Sequence, residues 1–172
     1  MYVGSLLELH DGQLLVAASA MQNVHVFDKE LSVDARALPL PKPHGTFTSM
    51  SLIPSQSRDL IACSFCSPNS IYIHVLQQNA LEQLQSIAVD FKPFRSVWLP
   101  TLKTLLVFDL EKSKSVTSVC IDRGSERVRK VEMNEAIDVY SSCVLKRNEK
   151  VRIESVIMFD FITKSLREFD VI

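Results

Sequence analysis

Val24-His25-Val26-Phe27-Asp28 alternates apolar and polar side chains, closes on an aromatic–Asp pair and runs into a polar turn at Lys29-Glu30. Alternation at a period of two predicts a half-buried strand, because successive side chains of extended backbone point to opposite faces. Variants of the stretch return at 71–76, 116–122 and 166–170. Their end points, Asp28, Leu76, Asp122 and Asp170, are 48, 46 and 48 residues apart. A repeat of that length with one strand of this type in each copy predicts the blades of a β-propeller, the competing arrangement being some other antiparallel sandwich. Two further aromatic–Asp pairs, Phe108-Asp109 and Phe159-Asp160, are not equivalents of Phe27-Asp28, because chain order puts them in the second strand of their units.

Working outward, each repeat resolves into strands and turns. In the first, 6–10 and 13–18 are extended runs joined by Asp11-Gly12, a pair that predicts a two-residue hairpin with positive φ at both positions. The stretch 24–28 is the third strand and 31–38 the fourth. Three prolines within 39–45 predict a loop, since proline has no N–H for a ladder. The second repeat has strands at 47–53, 59–65 and 71–76, with a turn at Ser67-Pro68-Asn69. Its last segment, 81–89, contains Leu-Glu-Gln-Leu-Gln, which also fits a short amphipathic helix; the neighbouring units favour a strand. Phe94-Arg95-Ser96-Val97 opens the third repeat 47 positions after Phe47-Thr48-Ser49-Met50, and 104–110, 116–121 and 127–133 complete it. The fourth has 137–145, 151–161 and 165–172, without an outer strand. The expected fold class is therefore all-β: a β-propeller of about four four-stranded blades (1–40, 46–90, 93–134 and 136–172). A ring closes its sheet edges, and four blades is its lower limit, so these are expected to belong to a larger, seven-bladed propeller.

Bulk composition narrows the function classes. With 172 residues, 47% hydrophobic and 23% charged, the chain can bury a core and lacks the signature of disorder. Four glycines leave no Gly-rich phosphate loop, and a net charge of −1 provides no global field for nucleic acid or an anionic membrane. No apolar run approaches the roughly 18 residues of a membrane span, and Met1-Tyr2-Val3-Gly4 does not begin a signal peptide. Four cysteines are ordinary use for a reducing compartment, so a soluble intracellular domain is expected.

Individual residues offer little chemistry. Cys63-Ser64-Phe65-Cys66 is a C-x-x-C, but Cys120 and Cys143 lie far downstream without a second close pair, unlike a structural zinc site. On one strand, positions three apart face opposite ways, so buried free cysteines are expected. His25 and His74 occupy similar places in two third strands, where partly buried, hydrogen-bonded imidazoles are expected; an Asp28 or Asp59 partner has no nucleophile at catalytic spacing. Two basic tracts remain. Arg123, Arg127, Arg129 and Lys130 flank one turn, and Lys146, Arg147, Lys150 and Arg152 another, each interrupted by a glutamate, Glu126 or Glu149. Solvated loops are the ordinary reading, and contact with RNA phosphate or an acidic partner the sharper one.

Taken in order, Leu14-Leu15-Val16-Ala17-Ala18-Ser19, Val24–Asp28, the runs 47–54 and 94–100, Ser118-Val119-Cys120-Ile121-Asp122, and Val156-Ile157-Met158-Phe159-Asp160 with 166–171 resemble the C-terminal propeller of cirhin-type WD-repeat proteins. These are the Utp-four family of the small-subunit processome. Phe-Asp or Ile-Asp stands where Trp-Asp is usual, and the Gly-His signature is missing. The resemblance implies a nucleolar scaffold in pre-18S rRNA processing and ribosome biogenesis, binding other proteins of a large assembly and pre-rRNA. It implies no catalytic residues, metal, cofactor, small-molecule substrate or membrane. A cytoplasmic adaptor for protein–protein interaction in trafficking or ubiquitination fits the same fold, and a lactonase-type enzyme would need polar residues or a metal converging on the propeller axis.

Overall fold

The computed structural model describes residues 3–18, 23–30, 36–40, 45–54, 58–77, 80–100, 103–109, 115–122, 125–132, 143–148, 153–160 and 165–171, those of 115–160 by their backbone alone. Among the described residues every regular element is a strand, fifteen in all. β1 (Val3–Glu8), β2 (Leu14–Ala18), β3 (Asn23–Phe27) and β4 (Arg36–Pro39) form one sheet. β5 (Thr46–Ile53), β6 (Leu60–Cys66), β7 (Ser70–Leu76) and β8 (Leu81–Ala88) form the second. The third comprises β9 (Pro93–Leu99), β10 (Thr104–Asp109), β11 (Ser115–Asp122) and β12 (Ser125–Glu132). β13 (Cys143–Asn148), β14 (Ile153–Asp160) and β15 (Ser165–Val171) form the last. Within each sheet the strands lie side by side in chain order, which is the up-and-down order of propeller blades. The stretch 24–28 supplies the third strand of its sheet, and Phe108 and Phe159 fall in the second strands β10 and β14.

The chain divides into two compact units, Met1–Pro93 and Phe94–Ile172. In the first, alternation along β3 buries Val24 and Val26 and half-exposes Asn23, His25 and Phe27. Leu15, Ala17, Val24, Val26 and Leu38 of the first sheet pack with Phe47, Met50, Ile61, Cys63 and Phe65 of the second in one core. Edge-to-face contacts, the geometry ring quadrupoles favour, join Phe47 to Phe65 (5.8 Å between centroids) and Phe65 to Tyr72 (5.5 Å). A Cβ on Gly4 would sit 2.9 Å from Cε1 of Phe47, so only glycine lets β1 pass the ring at that distance. In the second unit β9 buries Val97 and Leu99, and β10 buries Leu105, Val107 and Phe108.

The structure corrects local expectations. Gly12 N donates to Leu9 O and Leu9 N to Gln13 O, and only Gly12 of the Asp-Gly pair has positive φ (82°). The loop is thus a three-residue hairpin with glycine in the left-handed position, not the two-residue form. Pro39 lies within β4, opposite Asn23, which is tolerated because β4 is a sheet edge whose outward side needs no donor. Residues 81–88 are a strand. Ile73 pairs with Gln85 and His74 with Gln83, so Leu84 is an extra residue in a β-bulge and is 52% exposed. That inserted leucine is what makes Leu-Glu-Gln-Leu-Gln resemble a helical pattern. The first strand of the last sheet runs over Cys143–Asn148, and residues 137–142 of the predicted strand lie outside the described residues.

Candidate functional site

Three groups of side chains or positions carry the chemistry this chain has to offer. The first is the basic set. Arg127, Arg129 and Lys130 lie inside β12, paired with Cys120, Ser118 and Thr117 of β11, and β12 is the edge of its sheet. Lys146 and Arg147 lie in β13, another sheet edge, paired with Ser155 and Glu154. Arg127, Arg129 and Lys130 thus fall in the strand expected at 127–133, whereas Lys146 and Arg147 lie in β13, which runs past the expected strand end at 145 into the tract read as a solvated loop. Arg123, Lys150 and Arg152 lie outside the described residues. An edge strand offers unpaired backbone groups beside its side chains, so such strands can accept a partner strand or an anionic chain.

The second group joins the first two sheets. His10, in the β1–β2 loop, donates its backbone N–H to Asp59 Oδ2 (2.9 Å), and its Nδ1 is hydrogen-bonded to Asp59 Oδ1. Asp59 immediately precedes β6 and its side chain is 11% exposed, whereas the imidazole is 65% exposed. A carboxylate on Nδ1 orients the ring and leaves Nε2 as its reactive atom. From the sequence, Asp59 is weighed only as a partner for His25 or His74 and has no role there; the pairing the structure shows is with His10. Its signal is the repeat itself: His10 and Asp59 are 49 residues apart. Other contacts in this unit span close to one repeat. Met50 N donates to Ser5 Oγ (2.8 Å), and Thr48 Oγ1 reaches Pro93 O (2.8 Å) and Ser64 O (3.0 Å), the Ser5 and Pro93 contacts each spanning 45 residues. Groups one blade apart meet, which a local reading of the sequence does not show.

The third group is buried in the second sheet. Cys63 is enclosed, and burial pushes its thiol up to about 12, so the reactive thiolate is suppressed. Cys66 is half-buried, directs its Sγ toward Pro93 O (3.7 Å), and is also raised, burial outweighing the lowering effect of Lys92. The two thiols are free, as their spacing implies. Cys120 and Cys143 fall on β11 and β13. His74 departs from the expectation of a hydrogen-bonded imidazole. It is fully buried beside Tyr72 (6.3 Å between ring centroids), and among the described residues neither ring nitrogen has a partner at bonding geometry. Burial lowers it to about 4, offset only in part by the Ile61 backbone across the ladder. His25 is half-buried and His44 lies outside the described residues. No cluster of three or more His, Cys, Asp or Glu side chains forms among the described residues.

No protein-family model matches the sequence, and no curated protein matches it. Solved structures do. Virginiamycin B lyase from Staphylococcus aureus superposes with a TM-score of 0.59 at 11% identity, over 98% of this chain and 55% of that one. An auxiliary nutrient binding protein from Bacteroides ovatus gives 0.71 at 11% identity, over 98% and 44%. Hydrazine synthase from Kuenenia stuttgartiensis gives 0.61 at 13% identity, over 98% and 49%. The likeness shows the fold: the four sheets are blades of a β-propeller, and the chain spans about half the length of the propellers it matches. It also overturns the expectation that this is not an enzyme, since virginiamycin B lyase and hydrazine synthase are enzymes on this architecture. Blades supply rigid strands, and loops of many chemistries can be mounted on them, so the fold does not exclude catalysis.

Proposed function

We propose that the chain is a WD-repeat-type scaffold module in the assembly that matures pre-18S ribosomal RNA, acting in the nucleolus on other proteins and on pre-rRNA. The observation that carries the reading is how the resemblance to cirhin-type proteins distributes over the fold. Its segments fall on successive paired strands: 14–17 on β2 against 24–27 on β3, and 156–159 on β14 against 166–169 on β15. A second support is the basic pair of edge strands. Arg127, Arg129 and Lys130 on β12 and Lys146 and Arg147 on β13 bring cationic residues to ladder edges, where phosphate or an acidic partner can be met.

Affinity purification of the tagged chain from nucleolar extract tests the proposal, with processome proteins and pre-18S RNA as the expected catch. Recovery of cytoplasmic partners alone would refute it. For the RNA contact, Arg127, Arg129 and Lys130 are changed together to glutamine. Losing three phosphate contacts flattens the slope of log affinity against log salt by about 2 for a single strand.

A further inference from the structure

The two basic edge strands differ in what their ladders set against the cations. On β12, Arg127 stands opposite Cys120, Arg129 opposite Ser118 and Lys130 opposite Thr117, so no carboxylate opposes any of the three. On β13, Arg147 stands opposite Glu154, and the row of Lys146 runs through Ser155 to Asp170 of β15. Opposite charges set against each other across a ladder offset one another, because directly opposed Cβ atoms lie only about 5 Å apart. The period of two also sorts β12 itself. Arg127 and Arg129 share one face, and Glu126, Lys130 and Glu132 share the other, so the glutamate that interrupts the tract in sequence is not beside the arginines in the sheet. Asp122 is the one acid of β11 and β12 on the arginine face, and it stands opposite Ser125 at the hairpin end.

The edges also differ in place. In the first unit the opening strands of the two sheets lie together, Met50 N of β5 donating to Ser5 Oγ of β1 (2.8 Å). A blade of this propeller thus turns its first strand inward and its last strand to the rim. β13 is a first strand and β12 a last one. We propose that β12 is the strand that takes RNA, as an extended single strand laid along the rim edge, with successive phosphates on Arg127 and Arg129 and a third on Lys130. Residues two apart on a strand are about 6.8 Å apart, close to the spacing of successive phosphates in an extended single strand. Unpaired backbone N–H groups along the edge add donors for phosphate oxygens. The inference rests on the RNA contact of the proposed function and narrows it to one strand of the two.

Fluorescence anisotropy of a labelled oligouridylate with the purified chain, titrated at several salt concentrations, tests it. Arg127→Gln with Arg129→Gln is expected to flatten the slope of log affinity against log salt by about 1.4, two contacts at roughly 0.7 each on a single strand. Lys146→Gln with Arg147→Gln flattens it by less than one contact. Ser118→Glu sets a carboxylate opposite Arg129, as Glu154 is set opposite Arg147, and is expected to flatten the slope by about 0.7 with every cation still present. Far-ultraviolet dichroism identifies the variants that keep the wild-type fold. A β13 variant that flattens the slope as much as the β12 variant, or a folded Ser118→Glu with the wild-type slope, overturns the assignment to β12 while the RNA contact itself stands. A wild type that binds polyglutamate and not oligouridylate overturns both.

Discussion

Replacing His74 by phenylalanine isolates the electrostatic consequence of burying an imidazole whose ring nitrogens have no bonding partner among the described residues. The ring is enclosed in β7 beside Tyr72, and phenylalanine keeps the aromatic contact while removing the two buried ring nitrogens. In the native protein, burial holds the imidazole at about 4, against 6.5 for an ordinary histidine. Above pH 6.5 both folded and unfolded states hold it neutral, and its titration costs nothing. As pH falls below 6.5 the unfolded chain takes up the proton first, so stability declines until pH 4, where the folded ring also protonates. The gap between the two values corresponds to roughly 3 kcal/mol, lost between pH 6.5 and 4. Urea unfolding of the wild type and His74→Phe, followed from pH 8 to pH 4, measures it. Other groups titrate in both proteins and cancel in the difference. The variant is expected to be about 1 kcal/mol more stable at pH 7, because unsatisfied buried nitrogens are gone, and its advantage widens by roughly 3 kcal/mol on acidification. Parallel stability curves for the two proteins across pH 4 to 6.5 would refute the reasoning.

Three further outcomes follow from the geometry. Gly12→Ala places a side chain at φ 82° and brings its Cβ to 3.3 Å from Lys29 Cβ; a loss of about 1 kcal/mol is expected in thermal or urea unfolding. Asp59→Ala removes both bonds that tie the His10 loop to β6 and is expected to cost about 1 kcal/mol, whereas Asp59→Asn, which still accepts from His10 N–H, costs less; equal losses in the two variants count against that role for the carboxylate. Iodoacetamide followed by mass spectrometry is expected to modify Cys66 of the native protein and to spare Cys63 until urea unfolds the chain, because Cys63 is enclosed and its thiol is pushed up to about 12. Prompt native labelling of Cys63 would contradict its burial.

Strand positions were the most legible part of the chain because they rest on local signals. Alternation at 24–28, the prolines at 54 and 100 and the Asp11-Gly12 turn each act within a few residues. Where a local rule failed, a neighbouring strand was the cause. Leu84 mimics a helical period only because β8 bulges against β7, and Pro39 enters a strand because β4 has a free side. The basic residues were visible as tracts and 127–133 as a strand, but the membership of Lys146 and Arg147 in β13 depended on how far that ladder runs. His10 and Asp59 were each visible, and their pairing was not, because nothing local joins residues 49 apart.

Sequence alone determined that this chain is all-β and that its strands recur every 46 to 48 residues, and it favoured blades over another antiparallel sandwich, since each reading needs only side-chain alternation and turn chemistry. Tertiary structure decided which polar groups meet across blades, that β6 is buried on both of its faces, and that His74 is enclosed with no bonding partner among the described residues. The physical reason is the direction of the forces. Alternation acts along a strand and specifies which residues seek burial, whereas coverage and cross-blade bonding act between sheets one repeat apart, and only packing specifies those neighbours.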